Sequence, residues 1–198
     1  MNSLKAYIEK GMTYLQYREL LESLMKEGKT TGPDQSESMV NYAKLNLQRM
    51  QRIEKTLVLA DDLKTTLRQL DKPVTALILT EGWCGDAAQN IPLFYAMEIE
   101  NPHFQIKLLL RDEHLELMDR YLTNGGRSIP KLICMNEAGE ELFTWGPRPK
   151  TAQDFVLEAK KKGMAKEQMA NELHLWYAKD KLISSQLEIS ALISKIVS

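Results

Sequence analysis

Residues 80–92, TEGWCGDAAQNIP, decide the fold of this chain. They follow directly on residues 74–80, VTALILT, a short apolar run rich in β-formers. Such a run predicts a strand that is buried on both faces, as in a parallel sheet. A helix is expected to follow from Cys84 to about Ile99. The sequence therefore places a tryptophan, a cysteine and a glycine where a strand gives way to a helix.

The segments beyond this stretch continue the alternation of strands and helices. We expect FQIKLLL to be a second strand and DEHLELMDRYL a second helix, and we expect EAGE to be a hairpin turn between the strands KLICMN and ELFTW. TAQDFVLEAKKKG is typical of a helix with Thr151 as its cap and Gly163 at its end. This order predicts an α/β fold with a parallel part and an antiparallel edge.

Both ends of the chain are predicted to be helical. Thr13 and Gln16 form a capping box at one helix start, and Asp34 with Glu37 can cap the next helix. The last helical segment carries apolar residues on one side. The expected organisation is a helical N-terminal extension over 1–57, a central domain over 58–163 and a helical C-terminal extension over 164–198. The residues on one side of the last segment are Met169, Leu173, Trp176 and Tyr177.

Composition excludes several classes of protein. The chain has 198 residues and a formal net charge of -1, so nucleic-acid or anionic-membrane binding has no electrostatic support. No apolar run is long enough for a signal peptide or a membrane span. Two cysteines are too few for a disulfide framework. We expect a soluble, cytoplasmic protein.

The stretch around Cys84 resembles the active site of thioredoxins, W-C-G-P-C, with W-C-G-D-A in its place. Pro92 stands where thioredoxins carry a helix-kinking proline, and RSIPKLI resembles their active-site Ile-Pro loop. NEAGEEL matches their glycine-containing hairpin, and Gly146 matches the glycine after their last strand. The resemblance covers about residues 60–162. It implies a thioredoxin-like fold, with a mixed four- to five-stranded sheet flanked by helices.

Cys84 is the candidate catalytic residue. A cysteine at a helix N-terminus meets free backbone N–H groups and the positive end of the helix dipole, which favour the thiolate. We expect Cys84 to be partly exposed and to have a pKa below that of free cysteine; the alternative is a buried, inert cysteine. Gly85, Asp86 and Ala87 would modulate the site. The charge of Asp86 opposes the thiolate, although simple helix capping is the favoured role for this residue.

The resemblance also implies a surface for a substrate. In thioredoxin-like folds the bond before the loop proline is cis and lies beside the active-site sulfur, and the preceding residue offers its backbone to a partner peptide. Trp83, Ile129 and Pro130 would form that surface here. The alternative for Pro130 is an ordinary trans proline at the start of a strand.

Two departures from the thioredoxin pattern concern the same chemical step. Ala87 replaces the resolving cysteine, and Ile78 replaces the buried acid that assists its proton transfer. A dithiol mechanism needs a second thiol to release the substrate. Cys134 lies inside an expected strand, and we interpret it as a core residue.

No other side chains form a recognisable centre. His103, His114 and His174 are scattered over the expected elements, and we interpret them as surface or satisfied histidines. Their spacing indicates no metal site, and no cofactor is expected. Trp145 fits either the active-site surface or the core.

Three functions remain open at this point. The first is monothiol thiol–disulfide exchange through Cys84, in which an external thiol resolves the mixed disulfide. Its partners would be protein or low-molecular-weight thiols and disulfides. The second is a redox-inactive peptide- or protein-binding module on a thioredoxin fold. The third, weaker one is an iron–sulfur cluster bridged by Cys84 thiolates of two chains with an outside thiol.

Overall fold

A four-stranded mixed sheet forms the centre of the protein, in the order β2-β1-β3-β4. The computed structural model describes residues 3–197. β1 pairs with β2 in parallel and with β3 antiparallel, and β3 pairs with β4 antiparallel. This is the predicted α/β architecture, with four strands in the described chain. The strands are β1 (Val74–Thr80), β2 (Phe104–Leu110), β3 (Lys131–Asn136) and β4 (Glu141–Trp145).

β1 is an interior strand because its sequence offers apolar side chains to both faces. Every residue of VTALILT except Thr75 is buried. Ile78, at the position of the thioredoxin acid, is fully buried and lies opposite Leu108 of β2 and Leu132 of β3. No carboxyl group therefore lies at that position beneath the site.

Helices cover the sheet and form both ends of the chain. Before β1 come α1 (Leu4–Ile8), α2 (Tyr14–Lys26), α3 (Glu37–Thr56) and α4 (Asp61–Arg68). α5 (Gly85–Glu100) joins β1 to β2, and α6 (Leu115–Met118) follows β2 after a 3-10 turn over Arg111–Glu113. The chain ends in α7 (Lys150–Lys161), α8 (Lys166–Asp180) and α9 (Ile183–Val197). No helix in residues 3–197 is both long and apolar enough to cross a membrane.

The helix boundaries follow local rules with three corrections. The capping box of Thr13 and Gln16 is present. Ser36 is the N-cap of α3, while Asp34 accepts a hydrogen bond from the backbone N–H of Ser36 and so holds the turn before the helix. α7 begins at Lys150, with Pro149 rather than Thr151 at the cap position.

The third correction concerns the helix after β2, which is much shorter than predicted. His114 has φ −132 and ψ 46, outside the helical region. This residue divides the segment into the 3-10 turn and the four-residue α6. Leu117 and Met118 on α6 are nevertheless fully buried, so the short helix still covers the core.

The terminal helices share one hydrophobic core with the sheet. Tyr17 of α2, Met50 of α3 and Ile189 of α9 belong to the same buried cluster as the residues of β1. A smaller cluster joins α7 to α8 through Ala152, Val156, Leu173 and Tyr177. The terminal helices therefore complete the hydrophobic core of the sheet. They also bring side chains to the N-terminal end of α5.

Candidate functional site

Cys84 occupies the N-cap of α5, immediately beyond the carboxyl end of β1. Its backbone N–H donates to the carbonyl of Glu81 at 3.1 Å, which closes the turn between strand and helix. Its Sγ donates to the backbone carbonyl of Ile129 at 3.2 Å, across 45 residues of sequence. The Ile129–Pro130 peptide bond is cis. The fold thus brings the W-C-G stretch and the Ile-Pro loop together at one sulfur.

Cys84 is buried, and its sulfur is a neutral thiol. The residue is 9% exposed. Burial, and after it the nearby charge of Asp86, together raise the pKa of the Cys84 thiol to about 12, against the opposing backbone N–H groups of Ala87 and Asp86. The prediction of a partly exposed cysteine with a lowered pKa is therefore wrong. The helix N-terminus does supply its N–H groups, but the loss of water around the sulfur outweighs them.

Helices before and after the sheet pack against the first turn of α5, next to Cys84. A Cβ added to Gly85 would lie 2.8 Å from Cε1 of His174 on α8 and 3.9 Å from the side-chain oxygen of Asn46 on α3. Asn46 is itself buried and donates to the carbonyl of Gly82 at 3.0 Å, while Arg49 donates to the Asn46 oxygen at 2.7 Å. Glycine at position 85 thus lets α3 and α8 approach the first turn of α5. We name this arrangement of Asn46, Arg49 and His174 the cover.

His174 is the exception to the interpretation of the histidines as surface or satisfied residues. Its Nδ1 is buried and has no hydrogen-bond partner among residues 3–197. Burial, and after it the charge of Arg49, together lower the pKa of His174 to about 4, while Asp86 opposes both. His174 is therefore a neutral imidazole held against the first turn of α5. His103 and His114 lie elsewhere and are half-buried.

Asp86 anchors an ion pair instead of acting as a simple helix cap. The Arg148 guanidinium donates to both of its carboxylate oxygens, with Nε 3.0 Å from Oδ1. The Tyr177 hydroxyl donates to Oδ1 at 2.6 Å and accepts from the Asn90 amide at 3.2 Å. Burial opposes the charge on Arg148, but Asp86 leaves the pKa of Arg148 above its ordinary value. Burial and the same carboxylate raise the pKa of Tyr177.

The remaining candidates are half-buried or buried. Trp83 is half-buried, and the Arg111 guanidinium lies over its ring at 4.9 Å from the centroid. Ile129 and Pro130 are buried, and the Ile129 carbonyl already accepts from Cys84. Ala87 is buried beside Cys84 on the first turn of α5.

Cys134 and Trp145 belong to the core. Cys134 is fully buried, both cysteines are free thiols, and burial raises the pKa of Cys134 to about 12. Cys134 pairs with Ala76, four residues before the end of β1, which places it about 13 Å along the strand from the site. Trp145 donates from its indole N–H to Glu188 and meets the edge of Phe94. Among residues 3–197, no group of three or more His, Cys, Asp or Glu is placed to hold a metal ion.

Gly146 holds the backbone that follows β4 against the Ile-Pro loop. Its φ is +108, which side-chain-bearing residues rarely adopt, and a Cβ at this position would overlap the carbonyl oxygen of Pro130. The glycine therefore permits the chain to pass directly over the loop that contacts Cys84.

Sequence reasoning missed five residues of this site: Asn46, Arg49, Arg148, His174 and Tyr177. One signal was available, because Asn46 lies three residues after Ala43 and four before Met50 and so places a polar group on an apolar helical stripe. Arg148, His174 and Tyr177 carry no comparable local signal. Their contacts with the first turn of α5 arise only from the tertiary fold.

Comparison with known proteins agrees with the fold. A family model described as Thioredoxin matches residues 32–168. A crystal structure of a protein of unknown function, PA1234 from Pseudomonas aeruginosa, is similar with a TM-score of 0.61 and 15% identity, covering 93% of this chain and 99% of that one. An HIV epitope scaffold of the 4E10 type is similar with a TM-score of 0.57 and 14% identity, at the same coverages. No curated protein matches the sequence.

Proposed function

Since the chain belongs to the thioredoxin family, we propose that it exchanges thiols with disulfides through the single sulfur of Cys84. The observation that carries the proposal is the position of this sulfur. Cys84 caps a 16-residue helix, meets the backbone N–H groups of Asp86 and Ala87, and lies 3.2 Å from the Ile129 carbonyl. An inert core cysteine requires none of these contacts.

The proposed reaction has two exchange steps and needs an external thiol. The Cys84 thiolate attacks one sulfur of a disulfide, a new S–S bond forms, and the other sulfur leaves as a thiolate that takes up a proton. Ala87 offers no second thiol, so the mixed disulfide persists. A protein or low-molecular-weight thiol then attacks, as its thiolate, the sulfur of the bound group. A new disulfide forms between the two, and Cys84 leaves as a thiolate that takes up a proton.

Exchange requires the cover to move. With a pKa of about 12, only about one Cys84 thiol in 10⁵ is ionised at pH 7, against about one in 10² at the ordinary value of 9.0. Separation of His174 and Asn46 from Gly85 would return water to the sulfur and remove the main cause of the shift. We propose that the closed arrangement is the resting state and that the open one reacts.

The burial of Cys84 also favours a second candidate, a redox-inactive module that binds a peptide or protein. In that function the sulfur serves only as a hydrogen-bond donor that fixes the Ile129 carbonyl. The half-exposed ring of Trp83 and the Arg111 guanidinium above it would then be the accessible part of the binding surface.

Reaction with the chromogenic disulfide 5,5′-dithiobis(2-nitrobenzoate) distinguishes the two candidates. The wild type and Cys134→Ser should each release one thionitrobenzoate per native chain, and Cys84→Ser should release none, because Cys134 is fully buried. Glutathione should then displace the bound thionitrobenzoate from Cys84, and a second glutathione should release the resulting mixed disulfide and return Cys84 to the thiol for another round. The rate should rise with pH, since burial keeps the thiol neutral at pH 7.

The opposite result supports the binding module. In that case the native wild type would release no thionitrobenzoate over hours at pH 7, while the unfolded protein would release two equivalents. Cys134→Ser serves as the matched control, because it removes the other thiol without touching the proposed site.

A further inference from the structure

A separate cavity of about 540 Å³ lies behind Tyr177, away from the thiol. It is bounded by the end of α3, the turn into α4, one side of α5 and the junction between α8 and α9. This volume is in the range of small-molecule sites. Tyr177 separates the cavity from the ion pair, since its hydroxyl reaches Asp86 while the residue also lines the cavity. The apolar part of the lining includes Ile53, Leu57, Val58, Leu182 and Ile183.

Two buried carboxamides line this otherwise apolar space. Gln89 of α5 is 4% exposed, and its side chain has no hydrogen-bond partner among residues 3–197. Gln186 of α9 is 3% exposed; its oxygen accepts from the backbone N–H of Ala60 at 2.7 Å, but its NH₂ group donates to no described residue. Neither amide is among the solvent-excluded unpaired groups of residues 3–197, so the free polar atoms of both amides face the open space of the cavity. They can therefore pair with a polar group of a molecule bound there.

The charges of the lining have one sign. Arg52 and Lys181 line the cavity, and neither forms an ion pair with any residue in 3–197, whereas the lining includes no aspartate or glutamate. Both cations are exposed, so they lie at the mouth, while the amides lie deep. An anionic group at the mouth would be attracted by both cations.

Two consecutive residues in the wall of the cavity have a left-handed backbone conformation. Lys181 and Leu182 have φ values of 51 and 64, the left-handed region that non-glycine residues rarely adopt. Two such residues in succession form the sharp turn between α8 and α9. Backbone of this kind persists where the surrounding structure requires it, and it concentrates at ligand sites.

We propose that this cavity binds a small amphipathic monocarboxylate that carries a hydroxyl or carbonyl group at the end remote from the carboxylate. The carboxylate lies at the mouth near Arg52 and Lys181. The apolar body contacts Ile53, Leu57 and Leu182, and the remote polar group pairs with the amides of Gln89 and Gln186. Binding here does not depend on the proposed exchange at Cys84.

Isothermal titration calorimetry with four matched probes tests the proposal: ω-hydroxydecanoate, decanoate, decanol and decyltrimethylammonium. We expect one ω-hydroxydecanoate per chain. Decanoate should bind roughly fivefold more weakly, because it lacks one hydrogen bond. Decanol should bind weakly, and decyltrimethylammonium should not bind. Cys84→Ser should bind like the wild type, which separates this site from the fate of the proposed exchange activity.

Three variants locate the binding. The double variant Arg52→Gln with Lys181→Gln should weaken the binding of ω-hydroxydecanoate and of decanoate by roughly tenfold. Lys160→Gln with Lys161→Gln changes the same charge on exposed residues of α7 outside the cavity and should change nothing. Gln89→Leu keeps the size of the side chain and should abolish the preference for ω-hydroxydecanoate over decanoate. Circular dichroism verifies that each variant is folded.

Several outcomes would overturn the proposal. The first is that the folded wild type shows no saturable binding of ω-hydroxydecanoate. Equal binding of all four probes would show only apolar adsorption. An unchanged affinity in the Arg52/Lys181 variant, or an unchanged preference in Gln89→Leu, would place the ligand elsewhere.

Discussion

Replacing Asp86 with asparagine tests whether the ion pair behind Cys84 stabilises the fold. The change removes one charge and keeps the shape of the side chain. In the structure the carboxylate accepts two hydrogen bonds from Arg148 and one from Tyr177. The two side chains of the ion pair are only 9% and 16% exposed. Asp86→Asn therefore leaves a guanidinium that is largely buried without a counter-charge.

The expected loss of stability is about 3 kcal/mol. Removing one partner of a buried ion pair destabilises a protein by about 3–5 kcal/mol, because the other charge stays desolvated. The partial exposure of Arg148 and its second acceptor, Gln153 Oε1 at 3.1 Å, hold the value at the lower end. Tyr177 can still donate to the asparagine oxygen. The folding equilibrium should thus fall by on the order of 10²-fold.

Urea unfolding followed by circular dichroism provides the measurement, with Arg148→Met and the double variant as partners. The double variant should be more stable than the sum of the single losses predicts, by at least about 2 kcal/mol, because it removes both charges together. Asp86→Asn should also react faster at Cys84, since the Asp86 charge raises the pKa of that thiol. A loss below about 0.5 kcal/mol, or simple additivity in the double variant, would refute the reasoning.

Three further substitutions probe the surroundings of the site. Gly146→Ala should lower the free energy of unfolding by at least about 3 kcal/mol, because its Cβ would overlap a backbone carbonyl at a strained φ. The control Gly163→Ala, with nothing within 4 Å of its Cβ, should lower the free energy of unfolding by only about 1 kcal/mol in the same urea titration. The pKa of His174 is lowered from 6.5 to about 4, so the contribution of His174 to stability is complete above pH 6.5 and is lost as the pH falls toward 4. In unfolding experiments between these pH values, His174→Gln should flatten the dependence of the free energy of unfolding on pH. An unchanged pH dependence would contradict the burial of the imidazole. Ala87→Cys should form an internal disulfide with Cys84 under oxidising conditions and allow turnover in insulin reduction, whereas persistence of both free thiols would show that the two positions are held apart.

The sheet, its order of strands and helices, and the position of Cys84 could be predicted because each has a local cause. VTALILT predicts a buried strand by its continuous apolar character, and Thr13 with Gln16 predicts a helix start by reciprocal hydrogen bonds. The Ile-Pro loop was found through its resemblance to a known site. In the structure its carbonyl lies 3.2 Å from the sulfur.

The chemical state of Cys84 could not be predicted from local sequence. It depends on burial, and the residues packed around the first turn of α5 come from distant parts of the chain. The hydrogen bonds to Asp86 show this distance, because Arg148 lies 62 positions away and Tyr177 lies 91 positions away. A helix N-terminus predicts a lowered pKa only when water still reaches the sulfur, and no local pattern reports on that condition.

The contact between Gly146 and the Pro130 carbonyl gives a practical marker for related genes. No side chain fits at Gly146 while the Ile-Pro loop stays in place, so a chain with another residue here needs a different path for the loop. A database search that requires W-C-G alone will collect many unrelated chains. One that also requires Ile-Pro before the hairpin and glycine after it selects chains whose backbone can close over the sulfur as it does here, whatever residue replaces the second cysteine.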